Sequence, residues 1–195
     1  YICVYIRLVD FGNAREKEVK TLEAIENPDC GYYYEANQDN FELIPGSLIA
    51  YWASNAFINI FQNKTLKDYS TIITGMTTGN NNLYLRFWHE VDINKINFNQ
   101  WDMDSIDLNE KCWIPYNKGG PRRNWYGNNE YIVNWGQHEH FNRAKTTLKH
   151  LYLRKGITWP FVTSGDFSAR FFGEGFLWDV AGSPCFFHDD NTLYY

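Results

Sequence analysis

The sequence has no long apolar run, which argues against a membrane-spanning helix. Its apolar runs, such as residues 48–52 and 176–178, fall far short of the ~18 residues that cross a bilayer. The chain opens without the basic and then apolar segments of a secretory leader, so we expect no such leader. Because it starts at Tyr1 rather than Met, we expect it to be a piece of a longer protein.

The sequence also has few cysteines, and their spacing excludes the common cysteine-based scaffolds. They are Cys3, Cys30, Cys112 and Cys185. Without a C-x-x-C pair they predict neither a zinc ribbon nor a dense disulfide framework, and a cytoplasmic location is the simpler expectation. His138 and His140 lack a third ligand at a readable spacing, so we predict no metal site.

Positive charge is scarce overall but locally concentrated. The net charge of −5 arises within residues 1–50, which hold nine acids and four bases. Residues 115–126 contain three bases and no acid, and residues 143–155 contain five bases and no acid. Both runs are candidate anion contacts, although short basic runs are often ordinary solvated surface.

The apolar and aromatic content predicts a folded α+β protein. Near alternation predicts a strand over residues 1–11 that lacks an obvious nearby partner, so we expect this strand to pair with another domain. Val19, Leu22 and Ile25 predict a surface helix over residues 14–26. The predicted domains are residues 1–30, 31–65 and 66–195.

A second helix is predicted from about residue 48 to 62, with Ser47 as its N-cap. Its expected buried stripe is Ile49, Trp52, Ala53, Ala56, Phe57, Ile60 and Phe61. From residue 66 onward, short β-like segments alternate with turns, and helical periodicity returns only in residues 143–153. The predicted strands cover residues 71–74, 83–88, 131–135, 157–162, 169–172 and 176–180. The fold expected is therefore a short N-terminal strand and helices followed by a β-rich domain with helical insertions.

Catalytic motifs are missing from the sequence. A P-loop, a nucleophile elbow and a metalloprotease helix are all absent, and the G-x-G at residues 173–175 precedes a strand pattern, which makes it a turn. We therefore predict no catalytic residue and no bound cofactor in this chain.

Two polar segments stand out as candidate binding loops. The first spans residues 74–86, where small hydrogen-bonding side chains and backbone amides suit base edges or phosphates, although a long hairpin turn is the plainer interpretation. Its candidate residues are Thr74, Thr78, Asn80, Asn81 and Arg86. The second spans residues 113–131 and mixes cations, amides and aromatic rings between glycines, as both nucleic-acid and carbohydrate sites do. Its candidates are Asn117, Lys118, Gly119, Gly120, Arg122 and Arg123. We expect the rings of Trp113, Trp125 and Tyr126 to be buried supports, with the cations and Asn117 facing the ligand.

Several motifs in a fixed order resemble a known family. They include Ile44-Pro45-Gly46-Ser47, Thr78-Gly79-Asn80-Asn81, Arg86-Phe87-Trp88-His89-Glu90, Pro115-Tyr116-Asn117-Lys118-Gly119-Gly120, Trp125-Tyr126-Gly127-Asn128-Asn129-Glu130-Tyr131 and Ser164-Gly165-Asp166-Phe167-Ser168-Ala169-Arg170. Over nearly its whole length the chain resembles the BREX phage-defence adenine-specific DNA methyltransferases of the PglX family.

The resemblance implies a segment that follows the catalytic domain. Residues 1–30 would then join that missing domain, residues 31–65 would form a helical spacer, and residues 66–195 would recognise the DNA target. It adds Ser164 and Arg170 to the candidate DNA contacts, and it implies double-stranded DNA, the protein's own catalytic domain and other phage-defence proteins as partners. Members use S-adenosylmethionine and an Asn-Pro-Pro-Tyr motif, and no two prolines of this chain are adjacent. The chain alone should therefore be inactive.

Two other classes of function remain open at this point. An aromatic-rich β module that binds carbohydrate or another ligand has a similar composition. A purely structural segment, or a target of phage inhibitors, would need no activity.

Overall fold

The computed structural model describes residues 1–189, which form two compact units. The first unit is Tyr1–Thr65 and the second begins at Leu66. The last six residues of the third predicted domain lie outside the described residues, and the predicted domain ranges stay predictions.

The first unit is built on a two-stranded antiparallel sheet and one long helix. Strand β1 (Ile2–Ile6) pairs with β2 (Tyr33–Asn37), so the prediction that this strand pairs outside its own neighbourhood is wrong. Helix α1 (Ala14–Glu26) has the predicted bounds. It begins because the Asn13 side chain accepts a hydrogen bond from the Glu16 amide at 2.9 Å.

The predicted helix over residues 48–62 is wrong in extent. The structure has only α2 (Asn55–Ile60), capped by Ser54, and Ser47 adopts a positive φ of 50° where the predicted helix would begin. Most residues of the predicted stripe are exposed. The small buried cluster of this unit consists instead of Ile44, Ala50 and Ile58. Chain turns at residues 46–53 therefore replace the first half of the helix.

The described part of the second unit contains two four-stranded sheets. Their strands are β3 (Ser70–Ile72), β4 (Leu85–Phe87), β5 (Trp113–Asn117), β6 (Tyr131–Asn134), β7 (Gly156–Pro160), β8 (Arg170–Phe172), β9 (Leu177–Trp178) and β10 (Gly182–Phe187). One sheet has the order β3-β10-β7-β8 and the other β4-β6-β5-β9. All pairs are antiparallel except β5 with β9. The predicted α+β fold is confirmed.

Short helices fill the connections. They are α3 (Leu66–Tyr69), α4 (Asn81–Tyr84) and the 3-10 segments Gln38–Leu43, Trp88–Glu90, Ile93–Lys95, Trp135–His140 and Thr146–Leu151. The basic stretch that predicts a helix over residues 143–153 forms the last of these, because Lys145 in the left-handed region interrupts an α-helix. Its predicted apolar face does pack on the core, with Leu151 and Tyr152 buried and Leu148 partly buried.

The core of the second unit lies where its two sheets meet. The Trp178 ring of β9 contacts Phe186 of β10 edge-on, with centroids 5.7 Å apart, and Tyr152 on its other side at 5.3 Å. Beneath it, β5 and β6 bury apolar side chains on both faces, as central strands do. This core holds the ends of β4 and β5, from which the two candidate loops project.

Candidate functional site

The structure brings the two candidate loops together around one cavity. A cavity of about 400 Å³, here called the polar pocket, is lined by residues of both loops. Its lining consists of Asn81, Asn82, Leu85, Arg86, Phe87, Glu90, Lys118 and Tyr131. The pairing of β4 with β6, and of β6 with β5, places the two segments side by side.

Arg86 is the partly buried cation of this pocket. Its Nη1 donates to the carbonyl oxygens of Asn82 and Leu85, each at 2.6 Å, which fixes the guanidinium against its own turn. Among the described residues, Arg86 forms no ion pair. No carboxylate of the described residues is within ion-pair distance of its guanidinium, although the Glu90 carboxylate lines the same pocket.

Lys118 has a different environment, since its charge is balanced from within. Its Nζ donates to the Asp179 Oδ2 atom at 2.8 Å, and Asp179 is buried. The Tyr116 hydroxyl donates to the same oxygen at 3.0 Å, and the Ala181 amide donates to Oδ1 at 2.8 Å. Burial, reinforced by the negative charge of Asp179, raises the pKa of Tyr116 well above its usual range. Lys118 thus helps to hold the core, and we name this group the Asp179 cluster.

Asn117 and Gly119 stabilise the backbone conformation beside the Asp179 cluster. Asn117 is fully buried, and its Oδ1 accepts from the Gly119 amide at 3.3 Å, so the expectation that Asn117 faces a ligand is wrong. Gly119 has a φ of 83°, and a Cβ there would lie 2.3 Å from the Ala181 carbonyl oxygen. Only glycine fits this close approach.

The loop that follows β5, residues 118–130, is here called the cationic loop, and its middle part, residues 120–126, is exposed. The side chains of Arg122 and Arg123 are about half exposed, and they lie 3.5 Å from Asp166 and 3.9 Å from Glu130 respectively. Exposed pairs of this kind hold weakly and yield to a stronger anion. The loop is closed from within, because the Asn128 side chain donates to the Pro121 carbonyl at 3.0 Å.

The two aromatic residues at the tip of the cationic loop are exposed. Trp125 is 81% and Tyr126 64% exposed, so the prediction that their rings are buried supports is wrong, while Trp113 on β5 is partly buried. The Trp125 backbone supplies the anchorage instead of its ring. Its amide donates to the Ala169 carbonyl at 2.9 Å, and its carbonyl accepts from the Phe171 amide at 2.8 Å.

The remaining candidates divide by exposure. Thr74, Asn80, Asn81, Gly120 and Ser164 are exposed, whereas Thr78 and Arg170 are buried. The Thr78 hydroxyl donates to the Asn81 side chain at 2.8 Å, and Asn80 caps α4. Thr78 and Asn80 therefore stabilise the conformation of the first candidate loop.

Arg170 lies on β8 at 1% exposure, out of reach of a ligand at the surface. None of its guanidinium nitrogens has a hydrogen-bond acceptor among the described residues. Burial lowers the pKa of this group and the charge of Arg123 lowers it further, while the charge of Glu130 opposes the shift.

Some residues of the site carry no signal in the sequence. Asp179 lies in a segment that reads as an apolar strand, and its partner Lys118 is 61 residues earlier in the chain. Glu90 and Asn82 line the polar pocket beside Arg86, and the sequence contains a signal for both, since Asn82 lies in the first candidate loop and Glu90 ends the motif that begins at Arg86.

Within residues 1–189, no three side chains of the metal-binding types converge on a point where an ion would fit. The same residues contain no helix of the length and apolarity needed to cross a membrane. All four cysteines are free thiols.

Comparison with known proteins identifies the relatives of this chain. No protein-family model matches it. It is 41% identical to the adenine-specific methyltransferase PglX of Lacticaseibacillus casei (strain Zhang), over 99% of this chain and 17% of that protein. It is 35% identical to the adenine-specific methyltransferase BrxX of Escherichia coli O9:H4 (strain HS), over 99% of this chain and 15% of that protein. The chain thus spans about one sixth of the length of these curated relatives, and over nearly its whole length it is similar to one segment of PglX-type adenine-specific methyltransferases.

Proposed function

We propose that the second unit of this chain recognises double-stranded DNA on behalf of an adenine-specific methyltransferase. The observation that carries the proposal is the cationic loop, in which a backbone tied by hydrogen bonds presents Arg122 and Arg123 to solvent. The chain matches adenine-specific methyltransferases over nearly its whole length, which makes DNA the expected ligand.

The chemistry of the loop suits DNA. A guanidinium fork can neutralise phosphates or bind the O6 and N7 atoms of guanine, and the two arginines give up only weak surface ion pairs in doing so. The polar pocket offers a second contact, since the Asn81 and Asn82 amides can pair with adenine and Arg86 can bind a phosphate. Lys118 is the weaker candidate because Asp179 already compensates its charge.

The other parts of the reaction would lie elsewhere in a longer protein. S-adenosylmethionine and the flipped adenine would be held by a catalytic domain that carries the Asn-Pro-Pro-Tyr motif. We propose that residues 1–30 join that domain, that residues 31–65 act as a spacer, and that the work takes place in the cytoplasm beside other phage-defence proteins.

The test is a DNA-binding titration of the 195-residue chain across a range of salt. If Arg122, Arg123 and Arg86 contact two or three phosphates, affinity should fall roughly 10- to 40-fold between about 50 and about 200 mM salt. Replacing Arg122 and Arg123 together by Ala should weaken binding and flatten the salt slope by about one for each lost phosphate contact.

The matched control removes two positive charges from α1, by Arg15→Ala with Lys17→Ala, and should leave affinity unchanged. If the loop variant and the control bind equally well, the cationic loop is not the contact. Binding to oligosaccharides in place of DNA would favour a carbohydrate module instead.

A further inference from the structure

Trp125 occupies a backbone conformation that bulky residues rarely adopt. Its φ is 71°, and the Asn124 carbonyl accepts a hydrogen bond from the Tyr126 amide at 2.9 Å, which closes a three-residue turn around it. Turns of this kind are strained for a side chain with a Cβ, and strain of this sort persists only where the surrounding structure enforces it.

The enforcement is visible on both sides of the turn. The Trp125 amide and carbonyl bond to Ala169 and Phe171, so this residue is bridged in parallel to Arg170 at the free edge of β8. β8 is in turn paired with β7. The backbone of Trp125 is therefore held by the sheet, while its ring projects away into solvent at 81% exposure. Because the backbone of Trp125 is already held, inserting its ring into a ligand costs the conformational entropy of the side chain but not that of the backbone.

The surroundings of the ring match a nucleic acid in charge and in chemistry. Arg122 and Arg123 precede it in the cationic loop, and Tyr126 follows it with an exposed ring. Phe167, 72% exposed, lies two residues before the Ala169 carbonyl to which Trp125 is bonded. Cations beside exposed rings are suited to a surface that offers both phosphates and base faces.

We propose that Trp125 is a wedge that enters the DNA base stack and opens one base step. Apolar side chains inserted between base pairs partly unstack them, and an enzyme that acts on a base needs that base out of the stack. In this role Trp125 positions the DNA while the arginines hold its backbone. The inference rests on the proposed function, since it takes DNA as the ligand.

The experiment compares two duplexes of one sequence, one intact and one with a single abasic site. A wedge enters the abasic duplex without opening a step, so the wild-type chain should bind it about 5- to 150-fold more tightly, the range that stacking of one base on an aromatic ring provides. Trp125→Ala should lose this preference and Trp125→Phe should retain most of it. Trp52→Ala, which removes an exposed tryptophan from the first unit, is the matched control and should keep the preference.

A second measurement needs no variant. Duplexes that carry 2-aminopurine at successive positions should brighten when the wild-type chain binds, because unstacking raises the fluorescence of that base. An equal preference in Trp125→Ala and wild type, or no brightening at any position, would overturn the wedge while leaving DNA recognition intact. Failure of the wild-type chain to bind either duplex would overturn the proposed function and the wedge with it. The double variant Arg122→Ala with Arg123→Ala should lose affinity for both duplexes equally. That result would support arginines that hold the DNA backbone and a tryptophan that enters the base stack.

Discussion

At the scale of single residues, Asp179 is the group on which the interior of the candidate site depends. Its carboxylate accepts hydrogen bonds from Tyr116, from Lys118 and from the Ala181 amide. A buried carboxylate is stable only when its oxygens are satisfied in this way. The same bonds tie β5 to the turn before β10, so the base of the cationic loop is set by one side chain.

We expect Asp179→Ala to lower the free energy of unfolding by about 3 kcal/mol, near the lower end for a broken buried ion pair because Lys118 is 24% exposed. Urea unfolding followed by circular dichroism would measure the change. Asp179→Asn, which keeps an oxygen acceptor at the same place, should lose less. An unchanged midpoint in Asp179→Ala would mean that the cluster contributes nothing.

Because of Tyr116, we expect the free energy of unfolding to depend on pH in the alkaline range. Burial raises the pKa of its hydroxyl in the folded chain, and the charge of Asp179 adds to this effect, whereas in the unfolded chain the value is about 10. The neutral phenol is therefore favoured by folding, so this contribution is complete below pH ~10 and is lost as the pH rises above that value.

We expect the free energy of unfolding to fall between pH ~9 and ~11, and to fall less in Tyr116→Phe, which has no proton to lose. Urea titrations of both proteins at the two pH values give the comparison. An equal fall in both would assign the alkaline effect to other groups.

At the scale of elements, the segments that obey the sequence pattern have local signals at their ends. α1 starts at Asn13, whose side chain caps the Glu16 amide, while the Glu16 carboxylate accepts from the Gly12 amide at 3.0 Å. Residues 48–62 have the apolar spacing of a helix, yet Ser47 takes a positive φ and Ser54 is the cap. Apolar spacing alone therefore does not set where a helix begins.

Asn13→Ala should destabilise α1 by about 1 kcal/mol, because the Glu16 amide loses its acceptor. Hydrogen exchange at the Glu16 amide should become faster. Asn13→Asp, which keeps the acceptor and places a negative charge at the helix N-terminus, should exchange as slowly as wild type. Unchanged exchange in Asn13→Ala would show that the cap is not needed.

Across the molecule as a whole, the chain carries the cationic loop, and its sequence contains no recognised catalytic motif. Its net charge of −5 opposes DNA, so the proposed binding requires local cations such as those of the cationic loop. Relatives about six times longer have room for the chemistry elsewhere.

We expect the purified chain neither to bind S-adenosylmethionine measurably nor to methylate DNA. Isothermal titration with the cofactor and transfer of a radiolabelled methyl group are the two measurements. A full-length family member is the positive control for both. Transfer by this chain above the no-protein background would place a catalytic site within it.

Features that depend on near neighbours can be predicted from the sequence. The bounds of α1, the α+β class, the glycine-rich turns and the ordered motifs of the family all follow from residues close together in the chain. Six short strands were also predicted near their observed positions, while β2, β5 and β10 were missed. β5 and β10 contain a proline in their interior, whereas that of β7 is its last residue, and β2 has no apolar alternation.

Which side chains are buried depends on the tertiary structure. The same aromatic residue type is buried at Trp178 and exposed at Trp125, because the two sheets close over the first while backbone hydrogen bonds turn the second outward. Likewise, the sequence around Lys118 predicts a surface cation, but in the folded chain Lys118 pairs with Asp179, which is 61 residues away in sequence. Burial and ion pairing depend on contacts between segments that are distant in sequence. Local periodicity contains no information about those contacts.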